Sequence, residues 1–229
     1  MSYIIPTMMR QDFTLRLLQD LAVQTYPLSQ VVIVDATPEN ARDEELYLTQ
    51  DFPFELIVKW QETKGSCRAR NEAIELCKGE YIVFGDDDVR VLPDFIENHI
   101  KILQTYQVGA CNGLDIRADN QQQDLRNLQE KLNKIEKERW KVGASLTFSN
   151  ANSCVKNEYV RKLVGNDINF DGGYGEDGDF GLSLFKLGQI VLHNPFSANL
   201  HLKPPVGGYR FWGKQARVIG KKEKHNRGN

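Results

Sequence analysis

The sequence predicts an α/β fold, a mostly parallel sheet flanked by helices, on three observations. Four short runs, SYIIP (2–6), QVVIVDA (30–36), ELIVKW (55–60) and EYIVFGD (80–86), are apolar almost without alternation. Strands buried on both faces read this way, as parallel sheets require. Stretches with helical spacing separate the runs, so each strand–helix–strand step reads as a right-handed crossover. Polar residues gather where the runs end, at Pro6-Thr7, at Asp35 and at the triplet Asp86-Asp87-Asp88. Such sheets bind ligands outside the carboxyl ends of their strands, so the triplet faces the expected crevice.

The intervening segments follow in order. In 11–25, Phe13, Leu17 and Leu21 fall at i, i+4 and i+8, with Leu18 and Ala22 beside them. The segment 38–50 reads as a weaker helix. In 66–78, Ala69, Ala73, Ile74 and Cys77 share one face. Asp94–Tyr106 follows Pro93, a good first-turn residue, and carries Phe95, Ile96, Ile100 and Leu103. Residues 121–140 place Leu125, Leu128, Leu132 and Ile135 at 3-4-3 spacing, an amphipathic helix lying on the domain; two heptads are too few for a dimer seam. A last helix runs from Phe180 to Gly188, and a short strand-like run precedes His201. No repeat or low-complexity linker divides residues 1–229, so one domain is expected. From Lys203 the tail is basic, with Arg210, Lys214, Arg217, Lys221, Lys222, Lys224 and Arg227 against Glu223 alone.

Composition bounds the function. With 41% hydrophobic and 26% charged residues and a net charge of −2, the 229-residue chain reads as an ordinary globular protein with nothing that asks for nucleic acid. No apolar run approaches the roughly 18 residues of a spanning helix. The start, MSYIIPTMMRQDF, lacks a cleavage site, so no signal peptide is expected. Cys67, Cys77, Cys111 and Cys154 form no CxxC pair, which argues against a zinc cluster or disulfide framework and for free thiols in a reducing cytosol.

Four stretches carry chemistry. Asp86 and Asp88 point to one side of an extended segment and Asp87 to the other. Two carboxylates on one side suit Mg²⁺ or Mn²⁺, and an acidic turn capping the following helix fits equally well. In KGSCRARNEA (64–73), Gly65 opens a helix whose first turns carry Arg68 and Arg70, either a phosphate site or a glycine turn before a charged surface helix. In FDGGYGEDGDFGLSLFKLG (170–188), Gly172, Gly173, Gly175 and Gly178 surround Glu176 and Asp177, a pair placed for general-base work or a plain capping turn. His201 alone reads as structural, like His99 and His193; His225 belongs to the tail.

Taken together, IPTMMR, VVIVDAT, GSCRARNEA, GDDDV, GYGEDGDFGLSLFKLG and a downstream His resemble, in order and over nearly the whole chain, the inverting family 2 nucleotide-sugar glycosyltransferases. Their fold is GT-A, a Rossmann-like arrangement. The GYGED stretch also resembles the G-W-G-x-E-D segment of galactosyltransferase-type enzymes. The resemblance implies a nucleotide-binding half (1–115) and an acceptor and catalytic half (116–229). By position, Pro6, Thr7 and Asp35 line the base pocket with Arg10 nearby, and Asp35 favours a UDP-sugar. Arg70 lies beside base and metal. Asp86 faces the ribose or a metal water, Asp87 completes the donor-side triplet, and Asp88 and His201 bind Mn²⁺ or Mg²⁺. Asp177 is the general base, Glu176 holds the acceptor, and Asn152 lies near sugar and acceptor. A glycan or lipid-linked acceptor is implied, with peripheral contact between the basic tail and the inner face of the membrane left open. The second strand departs from the family by ending D-A-T, and PPVGGYRFWGK stands where the family has a mobile lid, so Lys203, Arg210 or Lys214 are candidates for the diphosphate. Two rivals remain: a catalytically silent sugar-nucleotide binding module, and a nucleotidyltransferase, against which MMRQDF lacks a G-x-G-x-R loop.

Overall fold

The computed structural model describes residues 1–120, 124–137, 141–163, 165–172 and 174–209. Strands β1 (Ser2–Thr7), β2 (Gln30–Asp35), β3 (Glu55–Trp60) and β4 (Tyr81–Gly85) form where the apolar runs predict them. Helices α1 (Gln11–Ala22) and α2 (Ser66–Leu76) lie between them; β5 (Val89–Val91), α3 (Phe95–Tyr106) and β6 (Ala110–Arg117) follow. The second half contributes α4 (Leu125–Lys137), β7 (Gly143–Ser145), β8 (Asn152–Lys156), α5 (Asn157–Val160), α6 (Glu176–Lys186) and β9 (Val191–His201).

All described strands join one sheet in the order β3-β2-β1-β4-β8-β6-β9-β5, with β7 on β9. The expected α/β sheet is there. Pairing is parallel from β3 to β4, then mixed: β8 runs antiparallel to β4 and β6, while β6 and β9 are parallel. Helices α1 and α2 carry the chain from β1 to β2 and from β3 to β4, crossovers of the kind parallel strands require, while β2 reaches β3 without an α-helix. Ile4, Ile5, Val31, Val32, Ile33 and Val34 are fully buried, divided between the clusters on the two faces of the sheet.

One predicted helix does not form. Within 38–50 only a 3₁₀ turn, Glu39–Ala41, is helical. Asp43 accepts instead from the backbone N–H groups of Glu45 and Leu46, a local turn that competes with a helix, and Tyr47 is the buried anchor. The amphipathic segment is borne out as α4. Leu125, Leu128 and Leu132 pack against Leu92, Ala198, Leu200 and Leu202, so this face is spent on the chain's own sheet. Residues 121–123 and 138–140 and the side chain of Ile135 lie outside the described residues. All four cysteines are buried free thiols. Among the described residues no helix is long and apolar enough to cross a membrane.

Candidate active site

The pairing of β1 with β4 ends at Ile4 opposite Phe84, and there the strands part. Pro6, which has no N–H to donate, falls just beyond that point and lines the resulting cleft. Gly85 leaves room for the Tyr3 side chain, because a Cβ there would overlap the Tyr3 hydroxyl. The triplet is therefore a turn between β4 and β5 and not the extended segment predicted. It still divides the acids as expected: Asp87 faces inward and Asp86 and Asp88 converge.

Asp87 accepts from Thr7 Oγ1 at 2.7 Å and from Arg10 Nη1 at 3.2 Å. Burial and then the charge of Asp88 push it up to about 7 against the pull of Arg10 and Thr7. Asp88 lies 3.0 Å from Arg10 Nη1 and 2.9 Å from His201 Nε2. Burial alone would raise its pKa, but the hydrogen bond and charge of His201, followed by Arg10, hold it below the usual range. Asp86 accepts from Arg70 Nη2 at 3.1 Å and lies 3.8 Å from His201 Nε2. Ligand atoms of Asp86, Asp88 and His201 all fall within 4.8 Å of one another. Two hard carboxylates and one imidazole fit Mn²⁺ or Mg²⁺, with remaining positions open to phosphate or water. His201 thus joins the acids, as the resemblance and not the lone histidine implied.

Arg70 is buried and spends only Nη2 on Asp86; its Nε and Nη1 have no hydrogen-bond partner. Desolvating guanidinium nitrogens without partners is costly unless an anion completes the set. The N-terminus of α2 is a correction. The Cys67 N–H donates to Asp171 Oδ1 at 2.7 Å, and Asp171 fills the space a Cβ on Gly65 would need. The chain's own carboxylate therefore occupies the end expected to take phosphate, while Ser66 and Arg70 still face the cleft.

On the opposite wall α6 begins at Glu176, four residues earlier than predicted, because Gly175 at φ 118° supplies a left-handed N-cap. Glu176 and Asp177 thus both stand in the first turn, where a helix favours carboxylates. Asp177 Oδ1 accepts from the Asn150 N–H at 3.0 Å, and its carbonyl accepts from Phe148 N–H at 3.1 Å. Burial raises its pKa more than this bond and the Arg70 charge lower it. Phe84, Phe148 and Phe180 pack beneath, with centroids 5.0 Å apart edge-on and 4.7 Å apart tilted, and tie α6 to β4.

The cleft is lined by Pro6, Arg10, Ser66, Arg70, Asp86, Asp87, Asp88, Asp115, Ser149, Asn150, Ala151, Glu176, Asp177, His201, Lys203, Gly208 and Tyr209. Three expected donor residues are not on this wall. Thr7 points its hydroxyl at Asp87. Asp35 is fully buried and accepts from the Thr37 N–H and hydroxyl and from Tyr47. Asn152 is fully buried in β8, 3.0 Å from His99 Nε2 and bonded to the Leu114 and Ser197 carbonyls, so its amide is spent inside the sheet. Asn150, two residues earlier, faces the cleft instead. Sequence reasoning missed Asp115, whereas the strap 203–209 falls in the PPVGGYRFWGK segment and the Lys203 that the resemblance pointed to, and Lys203, Gly208 and Tyr209 line the cleft. Arg10 donates to the Val206 and Pro204 carbonyls, Gly208 N–H donates to Met8 O at 2.6 Å, and the Tyr209 hydroxyl donates to Gln61 Oε1 at 3.0 Å. The paired glycines of PPVGGY fit the strap there: Gly207 and Gly208 both have positive φ and lie against Met8–Arg10. Gly173, Arg210 and Lys214 lie outside the described residues.

A parallel half-sheet with an acid-lined cleft at its carboxyl edge defines a class, the Rossmann-like α/β folds that take their ligands at the strand ends. The family is then explicit. Residues 2–164 match the family model "Glycosyl transferase family 2", and the chain belongs to that family. It is 29% identical over 105 residues to an uncharacterized glycosyltransferase of Haemophilus influenzae, 45% of this chain but 34% of that one, so it spans about a third of that relative's length. The structure superposes on a mannosyltransferase from Pyrobaculum calidifontis, solved with GDP-Man and Mn²⁺, with TM-score 0.64, 22% identity, and coverage of 89% of this chain and 56% of that one. It also superposes on S. aureus TarS 1–349 with UDP-GlcNAc, with TM-score 0.67, 16% identity, and coverage of 89% and 58%. These two likenesses establish the GT-A fold.

Proposed function

We propose that the chain transfers a sugar from a nucleoside-diphosphate donor to a glycan or lipid-linked acceptor hydroxyl, with inversion, in the manner its family membership implies. One observation carries the reading. Asp86, Asp88 and His201 converge beside an incompletely bonded Arg70, with Asp177 across the same cleft. A divalent ion held by Asp86, Asp88 and His201 would take up the charge that develops on the leaving diphosphate. The free nitrogens of Arg70 offer a second partner to that anion, and Lys203 stands on the same wall. Asp177, whose raised pKa suits proton acceptance, takes the proton of the acceptor hydroxyl as it attacks the anomeric carbon from the face opposite the diphosphate. Glu176 beside it holds the acceptor.

The neighbours' bound ligands include both GDP-Man and UDP-GlcNAc, so the nucleotide is chosen by test. The preference for UDP rested on Asp35, whose carboxylate faces Thr37 and Tyr47. UDP, then GDP, is titrated calorimetrically into the protein with Mn²⁺ and again with EDTA. Metal-dependent binding of one nucleotide, lost in Asp88→Asn, supports the reading; absence of binding to either overturns it. Binding without release of sugar from the matching donor identifies the silent binding module instead.

A further inference from the structure

His201 is held at both ring nitrogens. Nε2 lies 2.9 Å from Asp88 Oδ1 and 3.8 Å from Asp86 Oδ2. Nδ1, on the other side of the ring, lies 3.0 and 3.1 Å from the two oxygens of Asp115. The imidazole is only 5% exposed, so these neighbours fix how it can sit. Asp115 belongs to β6, the parallel neighbour of β9, where Asp115 stands opposite Asn199 and Arg117 opposite His201. The β6–β9 register shifts between Asn112 and Leu114, immediately before Asp115. An irregularity of this kind commonly re-aims a side chain next to a site.

Asp115 is outside the group of side chains that can share one ion. Its oxygens address Nδ1, whereas Asp86 and Asp88 address Nε2. An imidazole that ligates through one nitrogen must keep its proton on the other, and the acceptor on that proton fixes tautomer and ring orientation. We infer that Asp115 is a positioning residue for the divalent ion: it accepts the Nδ1–H of His201 and turns the Nε2 lone pair toward Asp86 and Asp88. The inference rests on the reading of Asp86, Asp88 and His201 as an ion site. A surface acid that merely pairs with a histidine would add a little stability and leave ion affinity alone.

The test is titration of Mn²⁺ into the wild-type chain, Asp115→Leu, Asp115→Glu and His201→Ala, with free Mn²⁺ read by electron paramagnetic resonance. Asp115→Leu is expected to lose about 10- to 100-fold in affinity, the usual effect of removing such an outer partner. Asp115→Glu, which restores an acceptor, is expected to recover part of that loss. Histidine ¹⁵N spectra of the Mg²⁺-loaded protein supply a readout that stability does not move. The wild type should show His201 protonated on Nδ1, identified by its absence in His201→Ala, and Asp115→Leu should show that tautomer lost or mixed. If Asp115→Leu does not fold, Asp115→Ala, which also removes the acceptor, decides by the same titration and the same spectra. Unchanged Mn²⁺ affinity with an unchanged tautomer in the folded variant overturns the role of Asp115 and leaves the ion site standing. A wild-type protein that takes up no Mn²⁺ overturns both.

Discussion

The backbone N–H of Asn150 donates to Asp177 Oδ1 at 3.0 Å, so the first turn of α6 is bonded to the segment that enters β8. That bond orients the carboxylate without supplying or removing its proton. Asp177→Asn keeps the size of the group and abolishes its basicity. Turnover of the sugar nucleotide is expected to fall by about 10²–10⁴, the usual worth of a general base. Calorimetric binding of the nucleotide should be retained, and undiminished turnover would remove Asp177 from the role.

The pH profile carries a sign. Burial holds Asp177 above the ordinary carboxylate range, and only its ionised form can accept a proton. Turnover should therefore decline on the acid side at a pH above the about 3.9 of an unperturbed aspartate. A kcat profile measured with Mn²⁺ in excess checks this. The residual activity of Asp177→Asn should lack that limb.

His201 supplies a second pH dependence, in the metal-free protein. Burial lowers its pKa, but the hydrogen bonds to Asp115 and Asp88 outweigh that and raise it to about 10. A histidine raised in the folded state stabilises fully below its unfolded value of 6.5 and loses that contribution as pH rises through about 10. Urea midpoints in EDTA should fall between those limits in the wild type. The slope should flatten in His201→Gln, and parallel slopes would contradict the assignment.

Arg10 holds the buried acids together. Its guanidinium reaches Asp87 and Asp88 at 3.2 and 3.0 Å and two strap carbonyls besides. Arg10→Ala leaves Asp87 buried without its cation and Asp88 with His201 alone, and should cost about 3–5 kcal/mol in urea unfolding. Arg10→Lys, with a charge but no planar fork, should recover only part. A loss no larger than that of a typical surface pair would show that Asp87 simply stays protonated.

Asp171 substitutes for an N-cap on α2 by accepting from the Cys67 N–H. Asp171→Ala should cost about 0.5–2 kcal/mol, as other lost caps do. Because Asp171 lies at the head of the glycine-rich loop before α6, hydrogen exchange in 171–176 should rise as well. Exchange confined to α2 would show that the loop does not depend on this contact.

The sequence was readable where one local rule sufficed. Continuous β-branched runs gave β1 to β4, and helical spacing gave α1, α2, α3 and α4 within a few residues. Asp86, Asp88, Glu176 and Asp177 were found because carboxylate clusters next to apolar runs or glycines are conspicuous. What failed depended on distant partners. Nothing in ARDEEL announces that Asp43 will turn the chain on itself. Asn152 and Asn150 have the same chemistry, and only their places, Asn152 inside β8 and Asn150 in the turn before it, decide which lines the cleft. Asp35 and Thr7 sit at the predicted strand ends, yet their side chains are taken up by Thr37, Tyr47 and Asp87. Asp115 is one acid among the chain's 31 acidic residues until β9 brings His201 to it.

The cluster proposed to hold the ion joins Asp86 and Asp88, just after β4, to His201, the last residue of β9, with α6 lying between them in sequence. No segment of the chain short of β9 can hold all three ligands. A nascent polypeptide can assemble the parallel half of the sheet first, but the ligand set closes only when β9 slots between β6 and β5. Such long-range closure is slow, so metal retention should be the last property gained in refolding and the first lost when β9 loosens.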